Sequence, residues 1–286
     1  ADDELLNAYK MTSPSPWVLQ KFFADAVKAR CNYAVVEVSS HALSQYRYAG
    51  VRFEYAIVTN LISDHLEYHA TTKDYQEIHR RLITPKLKAL VINGDDPNCN
   101  ILRGFAKKEI LFEEGDELDK ELSKLDLVLP GDYNQRNCHA AAALTEELQV
   151  PWSVTSAALT GDLSVPGRFE RLALEGGITA IVDYAHSPES LEAFFSAAVP
   201  LKKRGKIITV FGACGERDNQ VRPTMGAIIS KESDIVIVTN DDPYGEDPDQ
   251  IADELIGGIS NKHLEKDLFR ILDRRQAIEH ALSLAK

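Results

Sequence analysis

The chain has 286 residues, 44% hydrophobic and 27% charged, which fits a globular protein of about two domains. Its net charge of −12 argues against general affinity for nucleic acid or anionic membrane. Cys31, Cys99, Cys138 and Cys214 form no C-x-x-C pair, no run reaches the roughly 18 apolar residues that span a bilayer, and no signal peptide is visible; reduced thiols in a cytoplasm are expected.

Residues 16–28 place apolar side chains near i, i+3, i+4 and i+7, which predicts a helix. A β-branched run at 33–38 predicts a buried strand, and similar runs recur at 55–59, 89–93, 178–182, 206–211 and 234–239. Helical patterns fall at 75–82, 137–147, 188–198, 225–231 and 249–259. Strands alternating with helices predict an α/β fold with mainly parallel sheets. Residues 116–129 are charged, weakly patterned and left unassigned. Pro151 and Pro166 punctuate a junction, so a boundary is expected near Thr160, giving domains 1–160 and 161–286. No internal repeat or low-complexity segment appears.

Two motifs in the first half carry chemistry. EVSSHAL (37–43) closes an apolar run, and a carboxylate at a strand's C-terminal edge sits where α/β folds hold ligands. Glu37 suits Mg²⁺, a hard cation preferring oxygen, while Ser39, Ser40 and His41 suit a polar substrate. A polar loop capping the next helix explains the same residues. TNLISDHLEYH (59–69) sets two histidines and two acids behind a strand, without an H-x-x-x-H pair on an evident helix. There Asp64 fits an N-cap equally well, and His69 a surface residue.

Taken together, EVSSHALSQYR and TNLISDHLEYH resemble the Mur ligase family, most closely the branch adding the third residue of the peptidoglycan stem peptide. KMTSP (10–14) resembles that branch's segment contacting the sugar-peptide. The resemblance implies that Glu37 and His65 hold Mg²⁺. It implies that Thr12, Ser13, Ser40, Gln45 and Arg47 contact the UDP-sugar peptide, and that Asn60 lies near the phosphates. Arg47 also makes independent sense as a phosphate or carboxylate partner. Where the family carries a carbamylated lysine, this chain has His79, a poorer ligand for a hard cation and equally readable as a plain helix residue. PGDYNQRN (130–137) resembles the family's G-x-[YF]-N-x-x-N segment, which assigns Asn134 and Asn137 to the nucleotide. On its own, PGDYN reads as a turn and helix start.

The second half continues the resemblance. VPGRFE (165–170) is similar to the family's hinge, whose arginine, here Arg168, reaches the nucleotide. VDYAHSPESLE (182–192) ends a strand and starts a helix with Pro188 in its first turn. The resemblance makes Asp183, Tyr184 and His186 nucleotide-side residues, with His186 and Arg168 as catalytic candidates. VFGACGERDNQVRP (210–223) resembles F-G-x-G-G-x-R-D followed by K-R-P, with Cys214 for a glycine and Val221 for the lysine. Cys214 reads as a packed residue, not a nucleophile. TNDDPYGEDP (239–248) aligns with D-N-P-R, whose arginine binds the distal carboxylate in diaminopimelate-using relatives. Here the segment is Asp241, Asp242, Pro243 and Tyr244. Tyr244 supplies no fixed cation, which disfavours diaminopimelate. The aspartates suit a distal ammonium such as lysine's, though turn formation explains them too.

The resemblance implies a partial P-loop-type central domain followed by a Rossmann-like C-terminal domain. It implies an ATP- and Mg²⁺-dependent ligase of bacterial cell-wall synthesis, acting as a monomer on UDP-MurNAc-L-Ala-D-Glu and an amino acid through an acyl phosphate. No G-x-x-x-x-G-K-[ST] loop is present, so this chain alone is expected to be inactive. A non-catalytic Mur-ligase-like binding protein is the rival reading, favoured by the absent loop, His79 and Val221. Folylpolyglutamate synthetase shares the ATPase core but is disfavoured by EVSSHAL, DHLEYH and ERDNQVRP together.

Overall fold

A computed structural model describes residues 12–61, 68–69, 71–161 and 165–285. These form two compact units, drawn from residues 1–119 with 140–147 and from 120–139 with 148–286.

In the first unit, helix α1 (Pro16–Lys28) occupies the predicted span, with Pro16 at its first turn. A short helix α2 (Ser40–Ser44) precedes strand β1 (Tyr55–Val58). Helix α3 (Thr72–Ile78) runs into a 3₁₀ turn, His79–Leu82. Strands β2 (Ala89–Asn93) and β3 (Glu109–Phe112) complete a parallel sheet in the order β1-β2-β3. All five residues of β2 are buried, as a central parallel strand requires. Its side chains alternate between faces. Leu90 and Ile92 join the core of Leu19, Leu43, Leu61, Leu82 and Leu102. Val91 packs with Phe112 against Ala140 and Ala143. Helix α4 (Glu117–Leu122) falls in the stretch left unassigned, and those alanines belong to α5 (Asp132–Glu147).

The expected strand at 33–38 lies extended but joins no sheet among the described residues. Tyr33 and Val35 are exposed, Val35 to 95%. Its β-branched side chains favour extension; a ladder also needs a neighbouring edge, and none of the described strands supplies one.

In the second unit, α6 (Trp152–Thr160) precedes an antiparallel pair, β4 (Glu170–Ala173) with β5 (Thr179–Val182). The predicted run at 178–182 is therefore a hairpin arm rather than a parallel strand. Helix α7 (Pro188–Ala198) matches its prediction and starts in a Ser187–Ser190 capping box. Strand β6 (Ile208–Phe211), helix α8 (Arg222–Glu232), strand β7 (Ile235–Val238), helix α9 (Pro248–Gly257), strand β8 (Leu268–Arg270) and helix α10 (Arg274–Leu284) follow. The three strands form a parallel sheet in the order β6-β7-β8. Val236 and Val238 face Leu191, Phe195, Met225, Ile229, Ile251 and Leu255 of α7, α8 and α9. Ile235 and Ile237 face Ala277 and Ala281 of α10 on the other side. This three-layer order brings the loops after β6, β7 and β8 to one edge of the sheet, where α/β folds bind ligands.

Candidate functional site

The first unit gathers the two segments read from sequence as sugar-peptide contacts. Ser13 is buried, with Oγ 2.6 Å from Tyr48 Oη and 3.3 Å from Ser39 Oγ. Tyr48 donates to the Glu37 backbone carbonyl at 2.8 Å. Burial raises the Tyr48 pKa, keeping the phenol a donor. Glu37's main chain is thus fixed, while its side chain is exposed. Ser39 caps α2 by accepting from Ala42 N, which is the helix-capping reading of EVSSHAL.

Arg47 donates Nη1 to Ser13 O at 2.7 Å, and Nε and Nη2 to Gln45 Oε1 at 2.9 and 2.6 Å. Gln45 in turn donates to Tyr68 Oη. Thr12 is exposed beside Ser13. Ser40 is buried, with Oγ 2.9 Å from Nε2 of His69, which is itself buried rather than at the surface. The rings of His41, Tyr68, His69, Tyr75 and His79 follow one another at centroid distances of 4.1 to 5.5 Å.

Asn60 is exposed just past β1. Its neighbours are pinned: Thr59 O accepts from Asn93 Nδ2, and Leu61 N donates to Asp96 Oδ2, both at 2.8 Å. Sequence reading passed over Tyr48 and the NGDDP stretch (93–97) that supplies these pins. The stretch carries the right signal, amide and carboxylate side chains at a strand's C-terminal edge.

For a divalent cation, the described residues offer Glu37 as a carboxylate. His65 lies outside the described residues, as does Asp64. His79 is buried, and its Nδ1 is 2.8 Å from Tyr75 O, which only accepts; Nδ1 therefore carries the proton. Burial lowers its pKa, holding the ring neutral. Among the described residues no group of three His, Cys, Asp or Glu side chains could hold a metal ion. A complete cation site is not formed by them.

In the second unit, Asp183 closes β5 and spends both oxygens on main chain: Oδ2 accepts from Phe169 N at 2.7 Å and Oδ1 from Ala185 N at 2.9 Å. That ties the segment of Arg168 to the turn bearing Tyr184 and His186. The Arg168 guanidinium lies 5.0 Å from the Tyr184 ring centroid, and the Tyr184 and His186 rings are 5.0 Å apart. All three side chains are exposed. His186 Nδ1 is 2.8 Å from Tyr184 O. This is a cation beside an aromatic face, a surface suited to a nucleotide base and phosphate.

Asn134 is buried and donates to Pro130 O at 2.8 Å, whereas Asn137 is exposed on α5. Gly131 before them has φ +97°, and a Cβ there would meet Ala197 at 2.8 Å, so glycine is required. Nearby, burial pushes the Tyr133 pKa up to about 12.

Asp241, Asp242 and Tyr244 stand on the loop after β7. Asp241 pairs with Arg274 at 3.3 Å and accepts from Cys214 Sγ at 3.8 Å. Burial, then Asp241, raises the Cys214 pKa, in keeping with a packed thiol. Asp242 and Tyr244 are exposed. Among the described residues no helix is long and apolar enough to cross a membrane.

The Mur ligase middle domain matches residues 3–145, and the Mur ligase glutamate ligase domain matches residues 167–286. The chain is 38% identical to the UDP-N-acetylmuramoyl-L-alanyl-D-glutamate–2,6-diaminopimelate ligase of Thermosynechococcus vestitus, over 96% of this chain and 60% of that protein. It is 36% identical to the ligase of the same name from Gloeobacter violaceus, with the same coverage. A solved structure of such a diaminopimelate ligase superposes with a TM-score of 0.59 at 26% identity, over 96% of this chain and 61% of that one. Folylpolyglutamate synthase of Mycobacterium tuberculosis shares the fold, with a TM-score of 0.65 at 20% identity over 82% and 57% of the two chains. The chain thus spans about three fifths of the length of the curated relatives it matches. With both domain models matched in order over most of its length, the chain belongs to the Mur ligase family.

Proposed function

We propose that this chain forms the sugar-peptide-binding and closing parts of an ATP-dependent ligase that adds the third amino acid to UDP-MurNAc-L-Ala-D-Glu. One observation carries the reading. Ser13, Ser39, Gln45, Arg47 and Tyr48, from segments more than twenty residues apart, converge in one hydrogen-bonded cluster beside Glu37. The names of the relatives support the same reaction.

In this reaction the γ-phosphoryl of ATP passes to the D-glutamate side-chain carboxylate, releasing ADP. The amine of the incoming amino acid attacks the acyl phosphate, and the tetrahedral adduct expels phosphate as the amide forms. Binding energy serves to align the two reactants. Thr12, Ser13, Ser40, Gln45 and Arg47 orient the sugar-peptide. Tyr184 and Arg168 receive the nucleotide, with His186 beside Tyr184; Asn134 and Asn137 in the second unit and Asn60 in the first are its further nucleotide-side candidates. Glu37 and His65 would hold Mg²⁺, which would supply neutralisation of phosphoryl charge. The functional boundary lies near Thr160, the protein works as a monomer in the bacterial cytoplasm, and its product feeds cell-wall synthesis.

The loop read as contacting the added amino acid departs from the family's D-N-P-R pattern. Tyr244 in place of arginine and an exposed Asp242 favour a distal ammonium over a distal carboxylate, so lysine is expected to be used better than diaminopimelate. The test is phosphate release from Mg-ATP with UDP-MurNAc-L-Ala-D-Glu and an amino-acid panel, comparing this chain with the same sequence extended to the relatives' length. Turnover in the extended protein sustains the reading. No turnover with any amino acid, alongside retained binding of the UDP-dipeptide, would establish instead the non-catalytic binding protein that the buried, neutral His79 favours.

A further inference from the structure

The three loops at the C-terminal edge of the β6-β7-β8 sheet are tied together by two arginines that the reading above leaves without a role. Arg222, at the start of α8, is 1% exposed. Its Nη1 donates to Glu246 Oε2 at 2.8 Å and Glu254 Oε2 at 2.7 Å, and its Nη2 to Glu246 Oε1 and Cys214 O, both at 3.1 Å. Glu246 also accepts from Glu216 N, and Glu216 Oε1 accepts from Gly245 N at 3.2 Å. Arg222 thus fastens the loop after β6 to the loop after β7 through a two-pronged ion pair. The main chains touch as well. Gly215 N donates to Asp242 O at 2.9 Å, and a Cβ on Gly215 would fall 1.9 Å from Pro243 O.

Arg274, at the start of α10, fastens the same loop from the β8 side. Its Nε donates to Asn240 O at 3.0 Å, and its Nη2 lies 3.3 Å from Asp241 Oδ1. Asn240 N and Thr239 Oγ1 both donate to Leu272 O, each at 3.2 Å. Asp241 is thereby turned toward Arg274, while Asp242 and Tyr244 stay at the exposed rim. The fastened segments also hold two non-glycine residues in left-handed backbone, Glu216 at φ +56° and Tyr244 at φ +49°. Such conformations persist only where the surroundings over-determine them, and they concentrate at functional sites.

We infer that Arg222 and Arg274 are positioning residues that lock the Asp241–Tyr244 loop and through it set the site for the incoming amino acid. This rests on the function proposed above. Arg222 touches no rim group; it acts through Glu246 and the Cys214 carbonyl. Arg274 acts through Asp241 and the Asn240 carbonyl.

The experiment has two arms. In the protein extended to the relatives' length, Arg274→Met, Arg222→Lys and Glu246→Gln are compared with the parent for KM of amino acid, Mg-ATP and UDP-dipeptide. A lock on the amino-acid loop predicts about a 10²-fold fall in kcat/KM for the amino acid in Arg274→Met, a smaller fall in the conservative Arg222→Lys, and unchanged KM for the other two substrates. An unchanged kcat/KM for the amino acid, or three KM values rising together, overturns it. In the second arm, amide hydrogen exchange at Gly215, Glu216 and Gly245 of this chain is followed in the same variants. Faster exchange is expected in all three, and parent-like protection overturns the lock. If the parent shows no turnover with any amino acid, the proposed function fails, and the exchange arm still decides whether the loops are locked.

Discussion

The site regions of the two units are held by different forces. In the first, Ser13, Tyr48, Ser39 and main-chain carbonyls make a network of neutral hydroxyls, with Arg47 tied, among the described residues, to Gln45 and Ser13 O. In the second, the loops are held by charge: Arg222 with Glu246 and Glu254, Arg274 with Asp241. The hydroxyl network keeps its polarity across the physiological range, since nothing in it ionises there. The ionic lock is stronger per contact but depends on two carboxylates remaining charged.

The largest expected effect follows from breaking the ionic region at its buried end. Arg222→Met removes a guanidinium that is 1% exposed and strands Glu246 and Glu254, at an expected cost of about 3 kcal/mol in urea unfolding monitored by second-unit amides. A change below about 0.5 kcal/mol, the size typical of surface substitutions, would mean the pair is not structural. In the neutral region, Tyr48→Phe deletes the hydroxyl joining Ser13 to Glu37 O and is expected to cost about 1–2 kcal/mol.

The same contrast gives opposite pH limits. The hydrogen bond from Arg222 lowers the Glu246 pKa, and those from Gln250 and Arg222 lower that of Glu254. Their contribution is fully present above the ordinary glutamate value of about 4.3 and is lost as pH falls through the lower folded values. Tyr48 runs the other way. Burial raises its pKa, so its contribution holds below the ordinary value of about 10 and is lost as pH rises through the folded one. The urea midpoint is expected to be lower at pH 3 than at pH 7 in the parent, and to drop less in Glu246→Gln. Ultraviolet titration of phenolate is expected to show late ionisation of both Tyr48 and Tyr133, of which Tyr48→Phe removes one. A Glu246→Gln slope as steep as the parent's would break the comparison.

Much of the scaffold was legible because local signals agreed. Helices at 16–28 and 188–198 combine a first-turn proline with an apolar stripe, and their predicted ends coincide with the observed ones. Where one local signal stood alone it misled. The β-branched run at 33–38 fixes extension but cannot name a pairing partner, and the run at 178–182 gave no hint that its partner was an antiparallel arm. Strands β3, β4 and β8, three or four residues each, were too short to register a period. The motif blocks located the candidate site, yet what braces it was hidden. Tyr48 reaches Ser13 across 35 positions and Arg274 reaches Asn240 across 34, separations at which sequence spacing carries no geometry. Asp183 stood out in its motif as a candidate, but the motif did not reveal that two backbone N–H groups occupy its carboxylate.

The smallest effect concerns a residue that neither force anchors. Tyr184 is 64% exposed, with its ring between Arg168 and His186. A side chain this open adds little to folding, so Tyr184→Ala should leave the urea midpoint unchanged. If the ring is a platform for the nucleotide base, as the proposed function has it, the same substitution should weaken Mg-ADP binding by about 1 kcal/mol in calorimetry of the extended protein, with Tyr184→Phe close to the parent because the aromatic face is kept. Loss of stability without loss of nucleotide affinity would make Tyr184 a packing residue for Arg168. Loss of affinity in both variants would shift the contact from the ring to the hydroxyl.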